Sequence, residues 1–135
     1  MKPCPAIALL EFSSIATGML AADAMVKASP VAMLKTGTVS EGKYLVLVGG
    51  TVGSVEEAYN AGVIVGNDTV VDAMFLPDVH DQVYDAVFGK RLPLSGEALG
   101  VIETCSVAIT ILASDAAIKG ADVNIVELRL ANQLG

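Results

Sequence analysis

The feature that most constrains this chain is an internal repeat. Residues 6–35 align without a gap to residues 98–127 at a constant offset of 92 positions, so that Glu11, for example, matches Glu103. Such a repeat indicates a fold made of two related units that pack side by side. Because acids, a lysine and a serine are retained, shared hydrophobicity alone does not explain the match. The identical pairs are Ala6/Ala98, Glu11/Glu103, Ser14/Ser106, Ala16/Ala108, Leu20/Leu112, Ala21/Ala113, Asp23/Asp115, Ala24/Ala116, Lys27/Lys119 and Val31/Val123.

The first copy predicts an alternating unit of strands and helices. An apolar run of strand length is followed by apolar side chains at helical spacing, in a segment that Ser13 or Ser14 can cap and Pro30 ends. The segment from Thr36 to Gly42 then predicts a protruding loop inside a hairpin. We expect strands over residues 7–12, 31–35, 44–48 and 69–76, and helices over 14–28, 54–65 and 80–88.

The second copy is only half as long as the first. Residues 90–97 predict a linker between a first domain at 1–89 and a partial second domain at 98–135. The partial domain predicts a strand over 99–104, a helix over 106–119 and a strand over 123–130. A sheet that stops there has an unpaired edge. We therefore expect either that the sequence is a fragment of a longer tandem protein, which we favour, or that another chain completes the sheet.

Composition excludes several functions. The chain is 53% hydrophobic, yet no run reaches the roughly 18–20 apolar residues of a membrane span, so large subunit contacts explain the excess better. A net charge of −7 opposes nucleic-acid binding. His80 is the single histidine, and Cys4 and Cys105 lie far apart, so we expect no metal, no cofactor and no catalytic site. The apolar run near Met1 is too short for a signal peptide, and we expect a cytoplasmic protein.

Three segments, in order along the chain, carry a family resemblance. The first is residues 7–12 with the helix after them, repeated at 99–104; the second is the glycine-containing turn and helix start at 50–58. The third is residues 76–80, where Pro77 and His80 match a Pro-Arg-Pro-His stretch and Asp78 replaces its arginine. Together they resemble the bacterial microcompartment (BMC) shell domain, in its tandem, trimer-forming class, over the whole chain.

The resemblance implies a fold and a function. It implies an α/β (α+β) domain with a four-stranded antiparallel sheet flanked by helices, duplicated in tandem with the second copy incomplete. Three such chains would form a pseudohexameric disc that tiles into a microcompartment shell in the cytoplasm. The partners would be other copies of the chain and other shell proteins, with small metabolites passing through a central pore. No enzymatic activity is implied.

The resemblance also assigns residues to roles. It implies contacts between neighbouring tiles for Lys27, Lys119, Asp78 and His80, with the usual arginine contact put in question by Asp78. Some tandem members bind an iron–sulfur cluster through a cysteine in the pore loop; Ser40 stands at the matching position, so no cluster is expected. The residues that would line the pore are Thr36, Gly37, Thr38, Val39, Ser40, Glu41 and Gly42 from the first copy and residues 131–135, including Asn132 and Gln133, from the second.

Simpler interpretations exist for each of these residues. Lys27 and Lys119 could be ordinary solvated helix ends, and His80 could simply cap a helix. The rival function is a small-molecule-binding regulatory oligomer, because a fold alone does not determine function. A shell tile should form extended sheets or tubes when concentrated, whereas a regulator should remain a small discrete oligomer.

Overall fold

The computed structural model describes residues 4–130. Its strands form one antiparallel sheet in the order β2-β3-β1-β4, which confirms the predicted four-stranded sheet flanked by helices. None of its helices has the length and apolar character needed to cross a bilayer. The elements are β1 (Ala6–Phe12), α1 (Ile15–Ala28), β2 (Ala32–Val39), β3 (Lys43–Gly50), α2 (Val52–Gly66), β4 (Val70–Leu76), α3 (Asp81–Val87) and α4 (Val107–Gly120), with short 3-10 turns at Ser40–Gly42 and Asn67–Thr69.

The central strand β1 is buried on both faces, so the molecule has three layers. Every residue of this strand is buried, including Glu11, as in strands that are covered on both sides. Since successive side chains point to opposite faces, Leu10 and Phe12 pack with α1 and α2. Ile7 and Leu9 pack on the other face, with α3 and α4. The sheet therefore separates two helical layers.

Helix α1 is held against α2 and the sheet by close contacts at two glycines. A Cβ atom at Gly62 would lie 2.5 Å from Leu10 Cδ1 and 2.7 Å from Met25 Sδ, and one at Gly18 would lie 2.5 Å from the Tyr44 ring. These distances are too short for any side chain larger than hydrogen. These contacts determine where α1 packs, and the opposite side of the helix faces outward.

The hairpin loop is shorter than predicted. Strand β2 continues to Val39, with Thr36 opposite Val46, so the connection to β3 is the three-residue turn Ser40–Gly42. Gly37 is typical of a loop, but the threonines and valine around it are β-branched and favour a strand. The prediction that the whole of residues 36–42 forms a loop is therefore wrong: only its last three residues do.

The second copy forms its helix but not its strands. Helix α4 begins within one residue of the prediction, whereas residues 99–104 and 123–130 have no strand pairing. In the first copy, β1 is hydrogen-bonded to β3 and β4, and the repeat offset puts the counterpart of β3 only from Gly135 onward. Residues 99–103 are exposed; Val101, for example, is 85% accessible.

Candidate functional site

The two copies meet where α4 of the second lies across the sheet of the first. Val107, Ala108 and Ile111 are at most 2% exposed and share one apolar core with Ile7 and Leu9. Burying valine and isoleucine side chains such as Val107 and Ile111 stabilises a contact by about 1.5–3 kcal/mol each. We call this contact the joint. The first copy contributes the sheet face that carries Ile7 and Leu9, and the second copy contributes α4.

A buried carboxylate from the first copy meets the N-terminus of α4. The two oxygens of Glu11, a residue 2% exposed, each accept a backbone hydrogen bond, from Val107 N and Ala108 N, both at 3.4 Å. The first amides of a helix lack internal acceptors and carry a partial positive charge, which suits an acid. Burial raises the pKa of Glu11, and the two amide hydrogen bonds and Lys43 oppose that rise.

The serine that starts α4 also contacts the first copy. Ser106 Oγ accepts from Ile109 N at 3.1 Å as the N-cap and donates to the Asp72 carboxylate on β4. Its counterpart Ser14 caps α1 in the same way, accepting from Thr17 N at 3.2 Å. The repeat thus preserves the cap, while the added contact to Asp72 belongs to the joint.

The C-terminal end of α4 closes the joint through a polar cluster. Asp115, only 4% exposed, accepts from His80 N at 2.8 Å and from the Lys119 ammonium. Lys119 also donates to the Asp78 carbonyl oxygen, and His80 Nδ1 accepts from Gln82 N to cap α3. The structure therefore brings together three of the four residues that the sequence predicted at a tile edge: Asp115 binds His80 and Lys119, and Lys119 binds Asp78.

The fourth predicted edge residue, Lys27, lies apart from this cluster. Its ammonium is 2.6 Å from Asp23 on the same helix, and both side chains are mostly exposed, at 72% and 57%. The same pair of residue types, four positions apart, thus occurs in both copies. In α1 the pair faces solvent, and in α4 its acid is buried in the joint.

The linker is held to the second copy rather than extended. Leu92 N donates to Val126 O at 3.0 Å, and Arg91 pairs with Glu127. Hydrogen bonds from Arg129 and Arg91 lower the pKa of Glu127 to about 2. These contacts hold Arg91 and Leu92 against the segment that follows α4.

The predicted pore residues are only partly described. Glu41 lies at the tip of the β2–β3 hairpin with its side chain 77% exposed and its carboxylate 3.8 Å from Lys43 Nζ. Glu41 and Gly42 have positive φ angles, 65° and 71°, which make the turn tight. The predicted residues Asn132 and Gln133 lie outside the described part of the chain.

A depression on the described surface is too small to hold an organic ligand. A depression between α3, the linker and the last segment has a volume of about 30 Å³, room for about one water molecule. Residues 4–130 hold no group of three His, Cys, Asp or Glu side chains close enough to bind a metal ion. The depression is lined by Gln82, Asp85, Lys90, Leu92 and Ile125.

Sequence reasoning missed the roles of Glu11 and Asp115. From the sequence alone, Glu11 is an acid at a strand end without a partner, and Asp115 is one of the residues that the repeat retains. The available signal was that both copies keep an acid at these positions, one at the end of an otherwise apolar strand. An acid at the end of an apolar strand indicates that another helix or strand supplies a hydrogen-bond donor to it.

The comparisons with known proteins agree with this architecture. A family model described as the BMC domain matches residues 6–79 and again 98–135. The chain is 40% identical over 130 residues to the bacterial microcompartment shell protein PduT of Citrobacter freundii, covering 96% of this chain and 71% of the relative. A solved microcompartment protein from Desulfitobacterium hafniense matches with a TM-score of 0.73 and 38% identity, over 92% of this chain and 69% of that one. The chain belongs to the BMC domain family of microcompartment shell proteins, which supports a structural role in a shell.

Proposed function

We propose that this chain is a tandem-domain shell subunit, three copies of which form a pseudohexameric disc that tiles into a microcompartment shell. The observation that carries the proposal is the joint. It is a head-to-tail contact between a helix of one unit and the sheet of the other, and a head-to-tail contact repeated by rotation generates a ring. Two units per chain would give six positions from three chains.

The pore would lie where hairpin tips converge on the ring axis. A group on a threefold axis occurs three times, so Glu41 would provide three carboxylates, and charged rings select the ions that pass. Because Glu41 lies 3.8 Å from Lys43, part of that charge is compensated. We expect a modest preference for cations, which Glu41→Gln should abolish. In the second copy, Asn132 and Gln133 would occupy the matching turn.

The perimeter of the disc would contact neighbouring tiles and other shell proteins. Lys27 is the exposed member of the predicted set, whereas Lys119, Asp78 and His80 form the polar cluster at the end of the joint. We assign all four to the tile edge. The assembled shell would lie in the bacterial cytoplasm, with small metabolites crossing the pore. The function is structural rather than catalytic, as in the family.

The test is the state of assembly of the protein expressed from its complete gene. Light scattering should give the mass of a trimer, and electron microscopy of concentrated samples should show sheets or tubes. Lys27→Glu should abolish the sheets, while Lys90→Glu, at an exposed lysine paired with Asp85, should change neither the sheets nor the trimer. A monomer would contradict the proposal, and a small oligomer that never forms sheets would favour the regulatory alternative.

A further inference from the structure

A row of charged residues crosses the sheet at the end nearest the β2–β3 hairpin turn. Glu11 is opposite Leu45 in the β1–β3 pairing and opposite Asp72 in the β1–β4 pairing. Leu45 belongs to the core that α4 covers. Because side chains two residues apart on a strand point to the same face, Lys43 shares that face and is a diagonal neighbour of Glu11. Three adjacent strands therefore contribute Lys43, Glu11 and Asp72 to one row.

Lys43 connects this row to the tip of the hairpin. Its Nζ lies 3.8 Å from the Glu41 carboxylate, and the side chain of Lys43 is 26% exposed while that of Glu41 is 77% exposed. The positive charge of Lys43 also acts on Glu11, where it opposes the rise that burial causes in the pKa. One ammonium group therefore interacts with two carboxylates, one at the hairpin tip and one in the joint.

The surroundings of Glu11 give Lys43 this double role. Helix α4 contributes its first two backbone amides, β4 contributes the Asp72 carboxylate and β3 contributes the Lys43 ammonium. Of these groups, Lys43 carries the positive charge. Charge interactions are stronger beside a buried core than in open water. A change in the charge of Glu11 therefore alters how much of the Lys43 charge remains to compensate Glu41.

We infer that Lys43 determines how strongly the pore prefers cations, because Glu11 and Glu41 share its positive charge. While Glu11 is ionised, it compensates part of the Lys43 charge, and the Glu41 carboxylate remains effective at the hairpin tip. When Glu11 is neutral, Lys43 compensates Glu41 more fully, and the preference for cations falls. This inference rests on the proposed pore and connects its ion selectivity to the joint between the two copies.

Protonation of Glu11 is the natural way to change this balance. Burial raises the pKa of Glu11 above its ordinary value of 4.5, so the wild-type pore should lose cation preference as the pH falls through the raised value. Other carboxylates of the chain also bind protons on acidification, and a pH series alone does not separate them from Glu11. Glu11→Gln makes the side chain neutral at constant pH and isolates its effect.

The test is a double-mutant cycle in the protein from its complete gene, with Glu11→Gln, Lys43→Gln and both changes combined. The reversal potential across a planar bilayer between two KCl concentrations gives the permeability ratio of potassium to chloride. Near neutral pH we expect Lys43→Gln to raise this ratio about twofold and Glu11→Gln to lower it about twofold. In the combined variant the effect of Glu11→Gln should largely disappear, because the lysine through which it acts is absent.

Lys35→Gln is the matched control for Lys43→Gln. Lys35 belongs to the same hairpin but lies opposite Leu47, four residues further along β3 than Lys43. The control should leave the permeability ratio unchanged. Light scattering and far-ultraviolet circular dichroism should show the wild-type trimer and fold in each variant. The comparison of the two lysine variants does not involve the joint, so it tests the inference even if Glu11→Gln weakens the trimer.

The outcomes separate this inference from the proposed function. A wild-type protein that is not a trimer, or a permeability ratio that Glu41→Gln leaves unchanged, would overturn the proposed pore. If Glu41→Gln acts as proposed but Lys43→Gln behaves like its control, this inference alone would be overturned. The same holds if Glu11→Gln has an equal effect with and without Lys43.

Discussion

Helices α1 and α4 have nearly the same pattern and different surroundings. Each begins after a serine cap, each spans 14 residues and each carries an Asp–Lys pair near its end. These shared features are local, and they suffice to start, align and end a helix. The apolar face is the difference, because in α4 it is buried in the joint and in α1 it is exposed. Local sequence thus determines that the helix forms, and the neighbouring unit determines how much the helix contributes to stability.

The first prediction concerns the apolar face of each helix. Ile111→Ala should lower the free energy of unfolding by about 2–5 kcal/mol, because it leaves a cavity in the joint core. Met19→Ala, the matching change in α1, should cost less than about 0.5 kcal/mol in the dissociated chain, since the side chain is 56% exposed. Urea denaturation measures both. Equal losses would mean that the joint is not part of the folded core.

The second prediction concerns the acids of the two Asp–Lys pairs. Asp115→Ala should cost about 1–3 kcal/mol, because it leaves His80 N without its buried acceptor and removes a partner of Lys119. Asp23→Ala should cost at most about 0.5 kcal/mol, as is usual for an exposed i,i+4 pair. Urea denaturation measures both variants. If Asp23→Ala lowered the free energy of unfolding as much as Asp115→Ala, the two Asp–Lys pairs would not differ in their contribution to stability.

The third prediction concerns the pH dependence that Glu11 causes. Because burial raises its pKa in the folded state above the ordinary value of 4.5, the native chain binds more protons than the unfolded chain just above that pH. The free energy of unfolding should therefore fall as the pH rises through the interval between 4.5 and the raised value. Glu11→Gln should lose this dependence and cost about 1 kcal/mol near pH 5 through a lost hydrogen bond.

The control for this prediction is the titration of Glu127, which has the opposite sign. Its pKa is lowered to about 2, so the stabilisation that it provides is present above pH 4.5 and is lost as the pH falls toward 2. Subtracting the Glu11→Gln curve from the wild-type curve cancels this effect. A difference curve that is flat above pH 4.5 would contradict the assignment of Glu11.

The smallest expected effect is at the hairpin tip. Glu41 has a φ of 65°, a conformation that glycine adopts without strain, so Glu41→Gly should raise the free energy of unfolding by about 0.5 kcal/mol. Glu41→Ala keeps the strained backbone and removes the carboxylate near Lys43, and it should give no gain. Thermal unfolding of the two variants in parallel checks the difference. A gain in both would indicate that the charge of Glu41, and not its backbone, is unfavourable.

Much of the first unit could be predicted because its signals are local. The serine cap, Pro30 and the apolar spacing between them located α1, and the apolar residues at 7–10 indicated a strand. The hairpin was harder, because Gly37 is typical of a loop while the threonines beside it are typical of a strand. Pairing with β3 decided the outcome, and pairing is not a local property.

The joint could not be predicted for the same reason. Residues 99–104 have the pattern of a strand, but a strand forms only where partners supply its hydrogen bonds. The roles of Glu11 and Asp115 depend on contacts with residues 97 and 35 positions away, respectively. The repeat showed that these acids matter, and only the packing of α4 on the sheet shows what they bind.

The most direct test of the relation between the two copies is a structure of the assembled protein from its complete gene. We predict a trimer in which residues 6–35 and 98–127 superimpose after a rotation of about 60° around the ring axis, as expected for six equivalent positions. Ile15 and Met19, which are 40% and 56% exposed in the single chain, should be buried against another chain of that trimer. An assembly in which α1 still faces solvent, or in which the two copies occupy unrelated positions, would contradict the account.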